Sequence, residues 1–169
     1  MKQLEIVVAK EELEEKLDVL FLEMNKIHIS KDDTLQEKVN ILNNIRLVFY
    51  ENINQYQHEN LLIRTAEHLQ KKHEINKWNW HPNQTGRKDE ADLEGYKGDE
   101  IIVRVEVTTS QNPIGRIDTI MRDTLDKLDN MKSTNYYVVQ TDRMFQRAKS
   151  KVKNRNLNIN VIKYKNEKI

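Results

Sequence analysis

The chain has 169 residues, 37% of them hydrophobic and 33% charged, with no cysteine. That length suits a single core, and the missing cysteine excludes a disulfide scaffold, a thiolate zinc site and a cysteine nucleophile. The formal charge of +1, from 28 Lys+Arg against 27 Asp+Glu, offers no overall argument for a polyanionic or membrane partner. No run approaches the ~18 apolar residues that span a bilayer. The start Met1-Lys2-Gln3-Leu4-Glu5 lacks the apolar stretch of a secretory leader. A cytoplasmic protein with no membrane partner is therefore expected.

Residues 1–75 contain neither Gly nor Pro, which suits helices. Leu13, Leu17, Leu20, Phe21 and Met24 recur at helical spacing over residues 11–26. Ser30 to Asp33 reads as a break. Thr34 with Glu37 matches a capping box, and Leu35, Val39, Leu42, Ile45 and Phe49 continue at helical period. A third helix is predicted over residues 56–73, with Leu62, Ala66 and Leu69 facing inward.

After Lys72 the pattern changes. Trp78 and Trp80 alternate with polar residues, which predicts a short strand with both rings packed in the core or at its edge. Asn83 to Gly86 reads as a turn, and Gly86-Arg87-Lys88 is a candidate phosphate contact. Ala91 to Tyr96 is a second strand. Ile101 to Thr109 is the clearest strand in the chain, rich in β-branched residues. Ile114, Ile117, Met121, Leu125 and Leu128 mark a helix, and Tyr136 to Val139 an apolar interior strand. A basic helix over residues 142–154 and a strand over residues 159–164 close the chain. The fold class is thus α/β with a mixed central sheet. Residues 1–55 are an N-terminal helical region, packed on or preceding a core of residues 56–169.

The neutral balance hides two opposed regions. Residues 11–23 carry six acidic side chains and one basic one, whereas residues 143–168 carry nine Lys/Arg and one acid. Arg143, Arg147, Lys149 and Lys151 crowd the basic helix. Such clustering suits phosphate neutralisation, and it equally suits a solvated helix face. His58, His68, His73 and His81 lack the spacing of paired metal ligands and read as surface residues.

The polar residues out of place lie on the central strands. Alternation puts Arg104, Glu106 and Thr108 on one face and Val103, Val105 and Val107 on the other. A hairpin would bring Asp92 close to Glu106. Two adjacent carboxylates repel and invite a divalent cation with oxygen ligands, of which Mg²⁺ is the plain choice. In the alternative reading Glu106 faces solvent and pairs with Arg104 or Lys97.

The stretch Asp92-Leu93-Glu94-Gly95, a turn, and then Glu106-Val107-Thr108 resembles the PD-(D/E)xK nuclease superfamily, which has the restriction-endonuclease-like fold. The element order over residues 57–140, about half of the chain, is similar to that family's αβββαβ core. The resemblance implies that Asp92, Glu106 and the main-chain carbonyl of Val107 hold Mg²⁺, or Mn²⁺ in its place. It implies a further carboxylate from the first core helix, best matched by Glu67 and next by Glu59. The family's motif lysine is replaced by Thr108, which offers a hydroxyl and no charge. Either another cation takes that role, from among Lys97, Arg104, Arg116, Arg122 and Lys127, or the site is inactive.

The reading that follows is a metal-dependent DNA endonuclease of restriction or mobile-element type. Arg116, Arg122, Arg143, Arg147, Lys149 and Lys151 are its candidate nucleic-acid contacts. A homodimer through the N-terminal helices is also expected. The rivals are a nucleic-acid-binding or assembly protein that kept the fold without the activity, and a protein-interaction module.

Overall fold

A computed structural model describes residues 1–82 and 90–164. The predicted turn at Asn83 to Gly86 and the Gly86-Arg87-Lys88 contact lie outside the described residues. The chain begins with a short strand that sequence periodicity did not reveal, β1 (Lys2–Leu4). Helix α1 (Ile6–Asn25) follows, burying Ala9, Leu13 and Leu20.

The second and third predicted helices are one continuous element, α2 (Leu35–Lys72). Its 38 residues span about 57 Å at ~1.5 Å per residue. Thr34 caps it as the sequence suggests: Glu37 N donates to Thr34 Oγ1 at 3.3 Å, and Thr34 N donates to Glu37 Oε2 at 2.7 Å. Asn52 and Asn54 invite a break near residue 55, but neither Gly nor Pro is present there to enforce one. Asn52 instead donates its amide to Val48 O at 2.9 Å, inside the helix. The boundary between the N-terminal region and the core therefore falls within α2.

Three antiparallel strands come next: β2 (Lys77–Trp80), β3 (Leu93–Lys97) and β4 (Glu100–Thr108). Helix α3 (Arg116–Asp129) crosses to β5 (Thr134–Val139), and α4 (Asp142–Arg155) crosses to β6 (Ile159–Lys163). The sheet order is β1-β2-β3-β4-β5-β6. Pairing is antiparallel from β1 to β4 and parallel across β4–β5–β6. Helical crossovers demand that parallel pairing, and tight turns demand the antiparallel one.

Both faces of the sheet are covered. One buries Val103, Val105, Val107, Tyr136 and Val138 against Leu61, Leu62 and Ala66 of α2, with Leu4, Ala9 and Leu13 in the same cluster. The other buries Tyr137 and Val139 against Met121, Leu125 and Leu128 of α3 and Met144 and Ala148 of α4. Trp78 and Trp80 lie in the first core, as their alternation suggests. Gly95 is required by their packing, since a Cβ there would lie 2.7 Å from Trp78 Cζ3 and 2.9 Å from Ile75 Cδ1. No helix among the described residues is long and apolar enough to cross a membrane.

Candidate active site

The β3–β4 register pairs Leu93 with Val105 and Glu94 with Arg104. One residue before the first pair comes Asp92, and one after it comes Glu106. Val107 N donates to Asp92 Oδ2 at 2.9 Å, which locks the carboxylate to β4. Glu106 projects from the face opposite the valines and is buried, with a side chain only 9% exposed. Burial first, and the Asp92 charge second, push its carboxyl up to about 8, against the pull of Lys127. Tyr137, from the neighbouring strand β5, also lines the site. Its hydroxyl is raised by burial and by the same two acids.

The two acids open into a cleft of about 1330 Å³ between α2, the end of β4 with its following loop, and α3. Tyr50, Asn54, Gln57 and His58 line one wall, and Ile120, Thr124 and Lys127 the other. Thr108 lines the floor and accepts from Ser110 N at 3.2 Å.

Of the candidate cations, Lys127 is the one that reaches the acids. Its Nζ lies 2.5 Å from Glu106 Oε1 and donates to the main-chain carbonyl of Glu90 at 3.2 Å. The other cations considered go elsewhere. Arg104 is spent on Glu94, with Nε donating to Oε1 at 2.9 Å. Lys97 pairs with Glu74 at the surface. Arg116 is exposed, and Arg122 pairs with its neighbour Asp123.

The first core helix contributes a different residue from the one expected. Glu67 is not among the cleft residues and pairs with Lys10 of α1. Glu59 is buried against Lys16, also of α1, at 2.8 Å. His58 takes the place facing the acids. It is 2% exposed, with Nε2 at 3.5 Å from Asp92 Oδ2. The surface reading of His58 is therefore corrected. A signal was present, since His58 falls four residues before Leu62 on the inward stripe of α2. His81 is also largely buried and contacts Glu90.

The basic helix α4 is tied to α3. Arg147 makes a bidentate pair with Asp118, Nε at 2.8 Å and Nη2 at 2.9 Å, and Lys151 joins it at 3.0 Å. These cations hold the Asp118 carboxyl well below the usual range, Arg147 foremost. Arg155 pairs with Asp126, and Arg143 donates to Asn112 Oδ1 at 2.9 Å. Lys149 stands over the Phe145 ring. None of Arg116, Arg122, Arg143, Arg147, Lys149 and Lys151 lines the cleft. Lys127 shares the cleft lining with Asp92, Glu106, Asp123 and Asp126, the last two paired with Arg122 and Arg155.

Among the described residues, no three His, Asp or Glu side chains are gathered into a ready-made metal cage. The oxygen donors available for a cation are the Asp92 and Glu106 carboxylates and the Val107 carbonyl. Hard oxygens suit Mg²⁺ or Mn²⁺. Burial first and the neighbouring Asp92 second raise the Glu106 carboxyl, so added positive charge between the two acids would favour their ionised forms. Comparison of the chain with family models, curated proteins and solved structures finds no match.

Proposed function

We propose that the protein is a metal-dependent endonuclease that hydrolyses phosphodiester bonds in DNA, built on a restriction-endonuclease-like core. The observation that carries this reading is Lys127 reaching Glu106 from α3. It provides, from the next helix, the ammonium that the motif position Thr108 cannot. The order α2-β2-β3-β4-α3-β5 supports the reading because it matches the αβββαβ core.

Asp92, Glu106 and the Val107 carbonyl would hold Mg²⁺ or Mn²⁺. When bound, such a cation neutralises charge on the scissile phosphate and lowers the pKa of a water. Asp92, fixed by Val107 N, presents its second oxygen without rotamer freedom. Lys127, held by Glu106 and the Glu90 carbonyl, sets a fixed positive charge at the edge of the cleft, so a phosphate oxygen entering there would meet an oriented ammonium. Thr108 contributes a hydroxyl at the cleft floor.

Purified protein is expected to cut plasmid, linear or single-stranded DNA with Mg²⁺ or Mn²⁺ and not with EDTA. Glu106→Ala and Lys127→Ala should each lower the rate at least ~100-fold, as loss of an oriented charge at a transition state does. Equal cutting by Glu106→Ala overturns the site. DNA binding with a steep salt dependence and no cutting favours a nucleic-acid-binding protein that kept the fold.

A further inference from the structure

The wall of the cleft formed by α2 carries side chains that neither the fold nor the acids use. Tyr50, Asn54 and Gln57 stand at i, i+4 and i+7, which puts them on one face of the helix. All three line the cleft, across from Ile120 of α3. Tyr50 is 65% exposed and Ile120 48%. Among the described residues, none of the Tyr50, Asn54 and Gln57 side chains has a hydrogen-bond partner. Asn52 and Gln55 sit on the same turns, do not line the cleft, and give their amides to Val48 O and Pro82 O. The uncommitted amides are therefore those that face the cleft.

We infer that the cleft takes an unpaired strand of DNA, with one base stacked on Tyr50 and its edge bonded by Asn54 and Gln57. This rests on the phosphodiester reading proposed above and names the substrate class for that site. An aromatic ring beside amide donors and acceptors matches a nucleobase, which has a π face and a polar edge. Duplex bases are read by elements that protrude into a groove, an α-helix or a β-ribbon. A concave wall instead receives a base that has left the stack. Duplex binding also draws on several Lys or Arg at successive phosphates. Among the described residues that line the cleft, Lys127 is the one cation, and it lies at Glu106. Tyr50 precedes His58 by eight residues, about 12 Å along the helix at ~1.5 Å per residue, and His58 lies against Asp92. The stacked base thus belongs to a nucleotide a short way along the strand from the phosphate at the acids.

The test compares a labelled single strand, its fully paired duplex, and that duplex with a central unpaired bubble. Fluorescence anisotropy with full-length Glu106→Gln reads binding without cleavage, and wild type with MgCl₂ or MnCl₂ reads cutting on a sequencing gel. Single strand and bubble should bind at least ~10-fold more tightly than duplex, with wild-type cuts confined to the unpaired nucleotides. In the same background Tyr50→Ala should weaken single-strand binding on the order of 10-fold, and Tyr50→Phe should retain it, since the ring and not the hydroxyl carries the stacking. Asn54→Ala and Gln57→Ala should alter which base is preferred when the strand's sequence is varied. Tyr50 is exposed, so these variants keep the fold. Duplex bound as tightly as single strand, or single-strand binding unchanged in Tyr50→Ala, overturns the inference, and wild-type cutting of duplex then leaves the nuclease reading standing. Single-strand binding that depends on Tyr50, with no cutting by the wild type, supports the base contact and overturns the nuclease reading.

Discussion

Replacing Glu106 by glutamine is expected to stabilise the protein, and increasingly so as pH rises. Glu106 is buried, and its carboxyl is pushed from 4.5 up to about 8 by desolvation and by Asp92. The unfolded chain releases this proton near its ordinary value, while the native state keeps it until about 8. Between those values the native state binds more protons, so wild-type stability is full below pH 4.5 and falls as pH rises towards 8. At ~1.36 kcal/mol per unit the whole loss is about 5 kcal/mol. Glutamine keeps the shape and carries no titration. Groups away from the site titrate alike in both proteins and cancel in the difference, which leaves Glu106 with the neighbours its charge acts on, Asp92, Lys127 and Tyr137. Urea unfolding from pH 5 to pH 9, followed by the fluorescence of the buried Trp78 and Trp80, measures that difference. Parallel stability curves for the two proteins would refute the reasoning. Saturating Mn²⁺ should restore stability to the wild type at pH 8 and not to the variant, by mass action on the native state.

Other perturbations separate scaffold from site. Asp118→Asn removes the shared partner of Arg147 and Lys151 and should destabilise by about 1 kcal/mol, the scale of a partly exposed ion-pair network. Chemical denaturation reads it, and metal binding should not change. Gly95→Ala drives a methyl into Trp78 and Ile75 and should cost ~1–3 kcal/mol, seen as a lowered Tm. Arg147→Ala should lower stability by a similar amount to Asp118→Asn while leaving the salt dependence of DNA binding unaltered, measured by anisotropy over a range of NaCl. Thr108→Ala should reduce cleavage far less than Lys127→Ala, since only the latter removes a charge. Equal losses in a plasmid assay would return the catalytic role to Thr108.

The valine alternation of β4 told in advance which face Glu106 takes, because strand period and burial act locally. The capping box at Thr34, the α3 stripe and the apolar β5 were legible for the same reason. The continuity of α2 was not. Asn52 and Asn54 have weak helix propensity, and packing of the long helix overrides it. β1 was hidden because three residues carry too little pattern to read.

Charge was legible as composition, but its pairing was not. Nine basic residues in the last 27 suggested a phosphate surface, but Arg147, Lys151 and Arg155 recur every four residues and meet Asp118 and Asp126 on α3. Sequence lists those acids and bases separately, and only the packing of two helices on one sheet face decides that they pair. The site divides in the same way. The residues Asp92 and Glu106 on paired strands follow from local pattern, since a hairpin joins neighbours in sequence. Lys127 at Glu106 and His58 at Asp92 arrive from helices, 21 and 34 residues away along the chain. Their side chains meet the acids only because α2 and α3 pack beside the end of β4, a geometry fixed by two hydrophobic cores and written in no local motif.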